Sequence, residues 1–326
     1  MGKKVQEAPV SEINRQRRPG LAGLRDRLSG QGLAVLSTCF GPRAACGFGI
    51  LTYHRVAVPP AGAAVPTWNV TPGRFRAQIQ GLLARGYRPR PLREVLAYHR
   101  DNRPIPPKTF AITFDDGYAN VYHNAFPILR EYNVPATVFL ATAYLDATAP
   151  FPFDDWSGAG VAGVPAETWI PLKTVQCREM LASGLIDLGA HTHVHADFRG
   201  RLDEFRRDLA LSLDELRMRF GVTEATFAFP FGYGCRKNDG PEMSNVAKEA
   251  GMLCALTTDS ALVRPGDDPF NWGRFGAFET DSAASLAAKL GGWYDVARTA
   301  WRRLRRRPKQ GCWPNNHDVA TLSATR

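Results

Sequence analysis

The sequence predicts an α/β fold in which a parallel sheet closes, or nearly closes, into a barrel. Three observations predict it. Short apolar runs rich in β-branched and aromatic residues alternate with helical patterns from Phe48 to Thr257. The 326 residues suffice for one large barrel or two ordinary domains. Two chemistry-bearing clusters, Asp115-Asp116 and His191-Thr192-His193-Val194-His195, each follow a predicted strand, on the face where sites assemble in such folds.

Phe48 to His54 reads as the first strand, and Ala57 to Val65 as a Pro/Ala/Gly loop. Thr71-Pro72 opens a helix in N-cap then N1 order, with Phe75, Ile79, Leu82 and Leu83 as its apolar stripe and Gly86 as its stop. Tyr87 to Arg90 makes a short strand, and Leu92, Val95 and Leu96 a short helix. Phe110 to Phe114 is a buried strand, and Asp115-Asp116-Gly117 is the turn that leaves it. A helix through Val121, Ala125, Ile128 and Leu129 leads to a strand at Ala136–Ala141. Residues 146–172 form a long insertion whose aromatics argue against disorder. A helix at Thr174–Ser183, a strand at Ile186–Ala190 and an amphipathic helix at Asp203–Phe220 follow, the last closed by Gly221. A strand at Ala225–Phe231, a helix at Pro241–Ala250 and a strand at Leu253–Thr257 complete the alternation.

Charge is uneven. The net charge of +10 comes from arginines crowded near both ends, and the middle is close to balanced. The organisation expected is therefore a basic N-terminal extension (1–45), the barrel (46–295) and a basic C-terminal helix and tail (296–326). Trp293, Trp301 and Leu304 interleave with arginines there. This pattern suits peripheral contact with an anionic membrane, although a final barrel helix running into a solvated tail is the favoured reading. Nothing else supports nucleic-acid binding. Six cysteines without a CxxC pair favour a reducing compartment. No signal peptide or transmembrane run is seen, so a cytoplasmic location is expected, peripheral to the membrane if the tail binds it.

Two adjacent carboxylates at the mouth of a buried strand are costly unless a cation or a catalytic task keeps them there. His191 and His195, four apart after a strand, combine with Asp116 into a two-histidine, one-carboxylate set with room for water, suited to a catalytic divalent metal. A chance surface cluster is the alternative. His193, between the ligands, points elsewhere.

Thr113-Phe114-Asp115-Asp116-Gly117 followed by His191-Thr192-His193-Val194-His195 resembles the first two motifs of the polysaccharide deacetylase family (NodB-homology domain, carbohydrate esterase family 4 type). Leu51-Thr52-Tyr53-His54-Arg55 resembles the opening strand of one branch, and the resemblance covers roughly residues 48–295. It implies a distorted (β/α) barrel of about seven parallel strands and metal-dependent removal of N- or O-acetyl groups from a sugar. By that resemblance Asp115 is the general base, and Asp116, His191 and His195 hold the metal, Zn²⁺ first and Co²⁺ as the alternative. Phe229-Pro230-Phe231-Gly232 occupies the third motif, with the Phe231 N–H as oxyanion donor or merely a turn at a strand end.

Two departures from the pattern follow. The arginine common two residues before the motif's proline is Ala228 here, so base orientation falls to Arg274 in Asn271-Trp272-Gly273-Arg274-Phe275, unless that is a surface arginine. The late Leu-x-His of the family is absent, leaving His54, His193, His317 or no residue as general acid. His54 is favoured by its strand-end position. Asp154, Asp155 and Trp156 suit either sugar contact or a packed cover over the barrel mouth. The expected function is removal of N-acetyl groups from an N-acetylglucosamine-containing poly- or oligosaccharide. The third motif resembles the branch acting on exopolysaccharide-type poly-N-acetylglucosamine. A catalytically weak glycan-binding module and a non-sugar amidase are the alternatives.

Overall fold

Strand β5 (Thr109–Phe114) is buried at all six positions, because neighbouring strands flank it and side chains pack on both its faces. The computed structural model describes residues 32–35, 37, 39, 41–42, 47–59, 68–154, 166–232 and 240–297. Most of the expected N-terminal extension and C-terminal tail, with Trp301, Leu304 and His317, lies outside these residues, as do Asp155 and Trp156.

The remaining strands in chain order are β1 (Gly49–Tyr53), β2 (Arg55–Val56), β3 (Asn69–Val70), β4 (Arg88–Pro89), β6 (Ala136–Leu140), β7 (Ile186–Ala190), β8 (Phe227–Ala228), β9 (Ala255–Leu256) and β10 (Phe275–Gly276). Seven of them run parallel in the order β10-β1-β5-β6-β7-β8-β9. β4 adds a short parallel pairing to β5, and β2 pairs β3 separately. The segment Trp272–Gly276 meets both ends of the sheet. Trp272 bridges to Leu256, while Phe275 and Gly276 pair with Leu51 and Thr52. The sheet thus curls into the distorted barrel the sequence predicts.

Helices α1 (Pro72–Ala84), α2 (Leu92–Arg100), α3 (Phe126–Glu131), α4 (Thr174–Ala182), α5 (Leu202–Phe220), α6 (Gly240–Glu249) and α7 (Ala283–Leu290) accompany the strands. Thr71 caps α1 through its side-chain oxygen, with Pro72 at N1. Gly221 ends α5 in the left-handed conformation at φ 69°.

Several elements differ from expectation. The helix after Asp116 begins as a π-helical turn (Val121–Ala125), in which the Phe126 N–H donates to the Val121 carbonyl. Pro127 explains the wide turn, because it has no N–H to offer the carbonyl four residues back. The strand expected over Ala225–Phe231 pairs only at Phe227–Ala228. Pro230 lacks a donor for a ladder and Phe231 turns the chain at φ 58°. Helix α7 and strand β10 were not anticipated. The residues of α7 are buried over most of its length, so it shows no polar stripe. No helix among the described residues is long and apolar enough to cross a membrane.

Gly189 in β7 lets the Phe139 ring lie directly on the backbone leading to His191. A Cβ there would sit 2.6 Å from that ring and 2.8 Å from the Thr226 carbonyl oxygen. Gly189→Ala should therefore destabilise the fold by about 1–3 kcal/mol in urea unfolding, as overpacked cores do. A change below about 0.5 kcal/mol, typical of a surface site, would contradict this packing.

Candidate active site

Asp115 and Asp116 leave the C-terminal end of β5 in different directions. The Asp115 N–H still donates to the Tyr53 carbonyl at 3.0 Å, continuing the ladder with β1. Asp116 then takes a left-handed backbone, φ 71°, and Gly117 follows at φ 87°. A Cβ on Gly117 would also meet the Leu140 side chain at 2.8 Å. The turn separates the two carboxylates, so each meets its own source of positive charge.

Asp115 meets Arg274. Nη1 donates to Oδ1 at 2.6 Å and Nη2 to Oδ2 at 2.8 Å, a bidentate fork. Arg274 is fully buried, at the seam where the barrel closes. Its Nε donates to the Thr257 carbonyl, and Nη1 also reaches the hydroxyls of Thr52 and Thr113. Burial pushes the Asp115 pKa up, but Arg274, His191 and His54 outweigh it and leave the pKa below the ordinary carboxylate value.

Asp116 meets the histidines. Its Oδ1 lies 3.4 Å from Nε2 of His191 and 3.2 Å from Nε2 of His195. Burial opposes ionisation here too, yet hydrogen bonds from both imidazoles hold the Asp116 pKa well below normal. The ligand atoms of Asp116, His191 and His195 lie within 4.8 Å of one another. His191 Nδ1 lies 2.8 Å from the Ala228 carbonyl, which can only accept, so Nδ1 carries a proton and Nε2 is the nitrogen available to Asp116 or to a metal. Two imidazole nitrogens and a carboxylate oxygen converge, the imidazole of His191 oriented by its bond to Ala228, and this donor set fits a divalent metal ion. Burial lowers the pKa of each histidine. For His191 the two carboxylates and the Ala228 carbonyl overcome that and raise it, whereas His195 stays lowered.

The loop carrying the histidines is held under backbone strain. Thr192 and His195 adopt φ of 65° and 51°. Asp208, reaching from α5, accepts the N–H groups of His193 (2.6 Å) and Val194 (3.1 Å). Thr192 Oγ1 accepts the His195 N–H at 3.0 Å. The His193 ring turns away, its Nδ1 3.0 Å from Thr142 Oγ1.

His54 faces the site from the end of β1. Its Nε2 is 3.9 Å from Asp115 Oδ2, and Trp68 stacks on its ring with centroids 4.7 Å apart. Burial lowers the His54 pKa, against the pull of Asp116 and Asp115. Phe231, left-handed at the third motif, sets its ring 4.9 Å from that of His195. The structure therefore brings Asp115, Asp116, His191, His195, Arg274, His54 and Phe231 to one end of the barrel and leaves His193 outside the cluster. Asp154 is buried against Arg55, in keeping with a packed cover.

Sequence reasoning missed Trp68, Asp208 and the Arg55–Asp154 pair. Trp68 and Asp208 carry no local motif. Arg55 had a signal, a charge at the exit of an apolar strand.

A sequence model of the polysaccharide deacetylase family matches residues 102–255, which span both motifs of the cluster. The chain is similar to the polysaccharide deacetylase family. It is a hydrolase of carbon–nitrogen bonds other than peptide bonds, of the carbohydrate deacetylase class. The deacetylase is 27% identical over 253 residues to the poly-beta-1,6-N-acetyl-D-glucosamine N-deacetylase of Staphylococcus epidermidis, covering 71% of this chain and 80% of that protein. The enzyme of the same name from Staphylococcus aureus strain MSSA476 is 24% identical over 239 residues, 68% of this chain and 75% of that one. Among solved structures, IcaB from Ammonifex degensii aligns with a TM-score of 0.61 at 26% identity, covering 75% of this chain and 97% of that one. The Streptococcus pyogenes deacetylase PplD, at 22% identity and a TM-score of 0.62 over 76% of this chain and 99% of that one, shares the fold.

Removing one partner of a buried ion pair strands the other charge. Arg274→Met should therefore cost about 3–5 kcal/mol of stability in metal-free protein at neutral pH. A loss below about 1 kcal/mol, the scale of an exposed pair, would contradict the geometry. The Asp115 pKa is lower folded than unfolded. The pair's contribution is thus complete above about pH 4 and is lost as the pH falls through the folded-state value. The stability gap between wild type and variant should narrow across that acid range.

Proposed function

We propose that this deacetylase removes N-acetyl groups from N-acetylglucosamine units of a β-1,6-linked poly- or oligosaccharide, using a divalent metal, Zn²⁺ first and Co²⁺ as the alternative. The observation that carries the reading is the division of the two adjacent carboxylates, one gripped by Arg274 and the other shared by two histidines. The names of the staphylococcal relatives support the substrate.

In this reading Asp116, His191 and His195 hold the metal, which when bound lowers the pKa of a water and polarises the acetyl carbonyl. Asp115 takes the proton of the attacking water as general base. Arg274 keeps it ionised and aimed, since a carboxylate locked in a two-point fork cannot swing to a second conformation. The Phe231 N–H donates to the oxyanion that develops on the acetyl carbonyl oxygen when water attacks the carbon. His54, across Asp115, protonates the leaving amine. An imidazole whose pKa is lowered by burial is a strong acid once protonated, which suits that role. Trp68 backs its ring and limits its rotation.

Purified protein loaded with Zn²⁺ or Co²⁺ should release acetate from β-1,6-linked N-acetylglucosamine oligomers, and a chelator should stop it. Asp115→Asn should slow release by about 10²–10⁴-fold with metal affinity retained. His191→Ala should lose both. His54→Ala should slow release by about 10²-fold or more and remove the fall in activity on the alkaline side, where His54 loses its proton. Glycan binding without acetate release under any metal would favour a binding module instead. Release from a non-sugar amide alone would favour an amidase.

A further inference from the structure

The two metal-facing histidines are oriented by different means. His191 is fixed by its Nδ1 bond to the Ala228 carbonyl. His195 has no equivalent, because its Nδ1 is buried and has no hydrogen-bond partner among the described residues. A metal-binding imidazole usually owes its orientation to a group on its other nitrogen. For His195, packing remains. Phe153 stacks on its ring with centroids 3.9 Å apart and planes 25° from parallel, and Phe231 tilts against it at 4.9 Å.

Phe153 belongs to the insertion between β6 and α4, and its neighbour Asp154 carries a charge that the reaction does not use. Asp154 is 4% exposed and pairs with Arg55, which is 2% exposed. The Arg55 guanidinium also donates to the Tyr118 hydroxyl at 2.8 Å and lies over that ring, 4.4 Å from its centroid. A buried pair of this kind adds little net stability compared with apolar packing, but it demands one geometry. The three residues come from segments that carry the site. Arg55 follows His54, Tyr118 stands two residues after Asp116, and Asp154 follows Phe153. Other ties fasten the far limb of the insertion, where the Leu172 N–H donates to the Gly117 carbonyl and the Ala119 N–H to the Ile170 carbonyl. The Arg55–Asp154 pair, with Phe151 edge-on to Tyr118 at 4.8 Å, fastens the near limb.

We propose that Arg55 and Asp154 are positioning residues that seat the Phe153 ring on His195 and so aim its imidazole at the metal position. The insertion is then part of the metal centre and not only its cover. This rests on the metal-binding role of Asp116, His191 and His195 proposed above.

The test is Co²⁺ affinity by calorimetry, with the visible absorption of bound Co²⁺ as a second readout, on the full chain and its variants. Phe153→Ala and Asp154→Asn should each weaken Co²⁺ binding by about 10–100-fold, the range for loss of a group that orients a metal ligand. Both should shift the absorption band while the far-ultraviolet circular dichroism stays unchanged. Phe153→Tyr, which keeps the flat ring, should restore the wild-type affinity. Combining Phe153→Ala with Asp154→Asn should weaken binding no further than the worse single change, because both act through one contact. Arg55→Met with Asp154→Leu removes both charges together, so it tests the pair without stranding either. It should fold and show the same loss of affinity. Should Asp154→Asn fail to fold, Phe153→Ala and this double variant decide the matter. Wild-type Co²⁺ affinity in folded Phe153→Ala, or in the folded charge-free double variant, would overturn the proposal while leaving the metal centre intact. Failure of the wild-type protein itself to bind Co²⁺ would overturn both.

Discussion

Asp115 and Asp116 are sequence neighbours, both are buried, and both have pKa values held below the ordinary carboxylate range. Like charges this close oppose each other's ionisation in a medium that screens them poorly. Each must therefore be met by its own positive partner. The left-handed turn at Asp116 points one carboxylate to the barrel seam and the other to the β7 loop. Arg274 completes the first pair and the two histidines the second. Much of the architecture around the barrel mouth follows from that requirement.

Barrel closure and site assembly are the same event at Arg274. Trp272 bridges to β9 while Phe275 pairs with β1, and the residue between them that points inward reaches Thr257, Thr52, Thr113 and Asp115 at once. A barrel that failed to close would leave Asp115 without its partner. On the opposite side, strain takes the place of charge. Asp116, Thr192, His195 and Phe231 all adopt positive φ without being glycine, and each such residue costs on the order of 1–3 kcal/mol. Asp208 and the Thr192 hydroxyl supply the bonds that hold the histidine loop in that conformation.

The long-range part of this arrangement was legible where residues of unusual cost stood together. Paired aspartates after an apolar strand and histidines four apart after another are rare enough to announce a site. Arg274 was legible only as a candidate, because nothing in Asn271-Trp272-Gly273-Arg274-Phe275 says that the chain there closes a barrel. Strands β8, β9 and β10 pair over two residues each, too few to show a period, and the first two were read too long. The π-helical turn at Val121–Ala125 has the same apolar spacing as an α-helix, so only the position of Pro127 hinted at it. The Arg55–Asp154 pair joins residues 99 apart, and sequence alone cannot match two charges over that distance. Trp68 on His54 is a contact of the same kind.

The central claim is the unequal division of two neighbouring carboxylates, and a crystal structure of the Co²⁺- or Zn²⁺-loaded protein with anomalous scattering at the metal edge tests it directly. The account predicts one anomalous peak about 2.0–2.2 Å from Asp116, His191 and His195. It also predicts that Asp115 stays outside bonding distance and remains gripped by Arg274. A metal bound by both carboxylates, with Arg274 released, would contradict it.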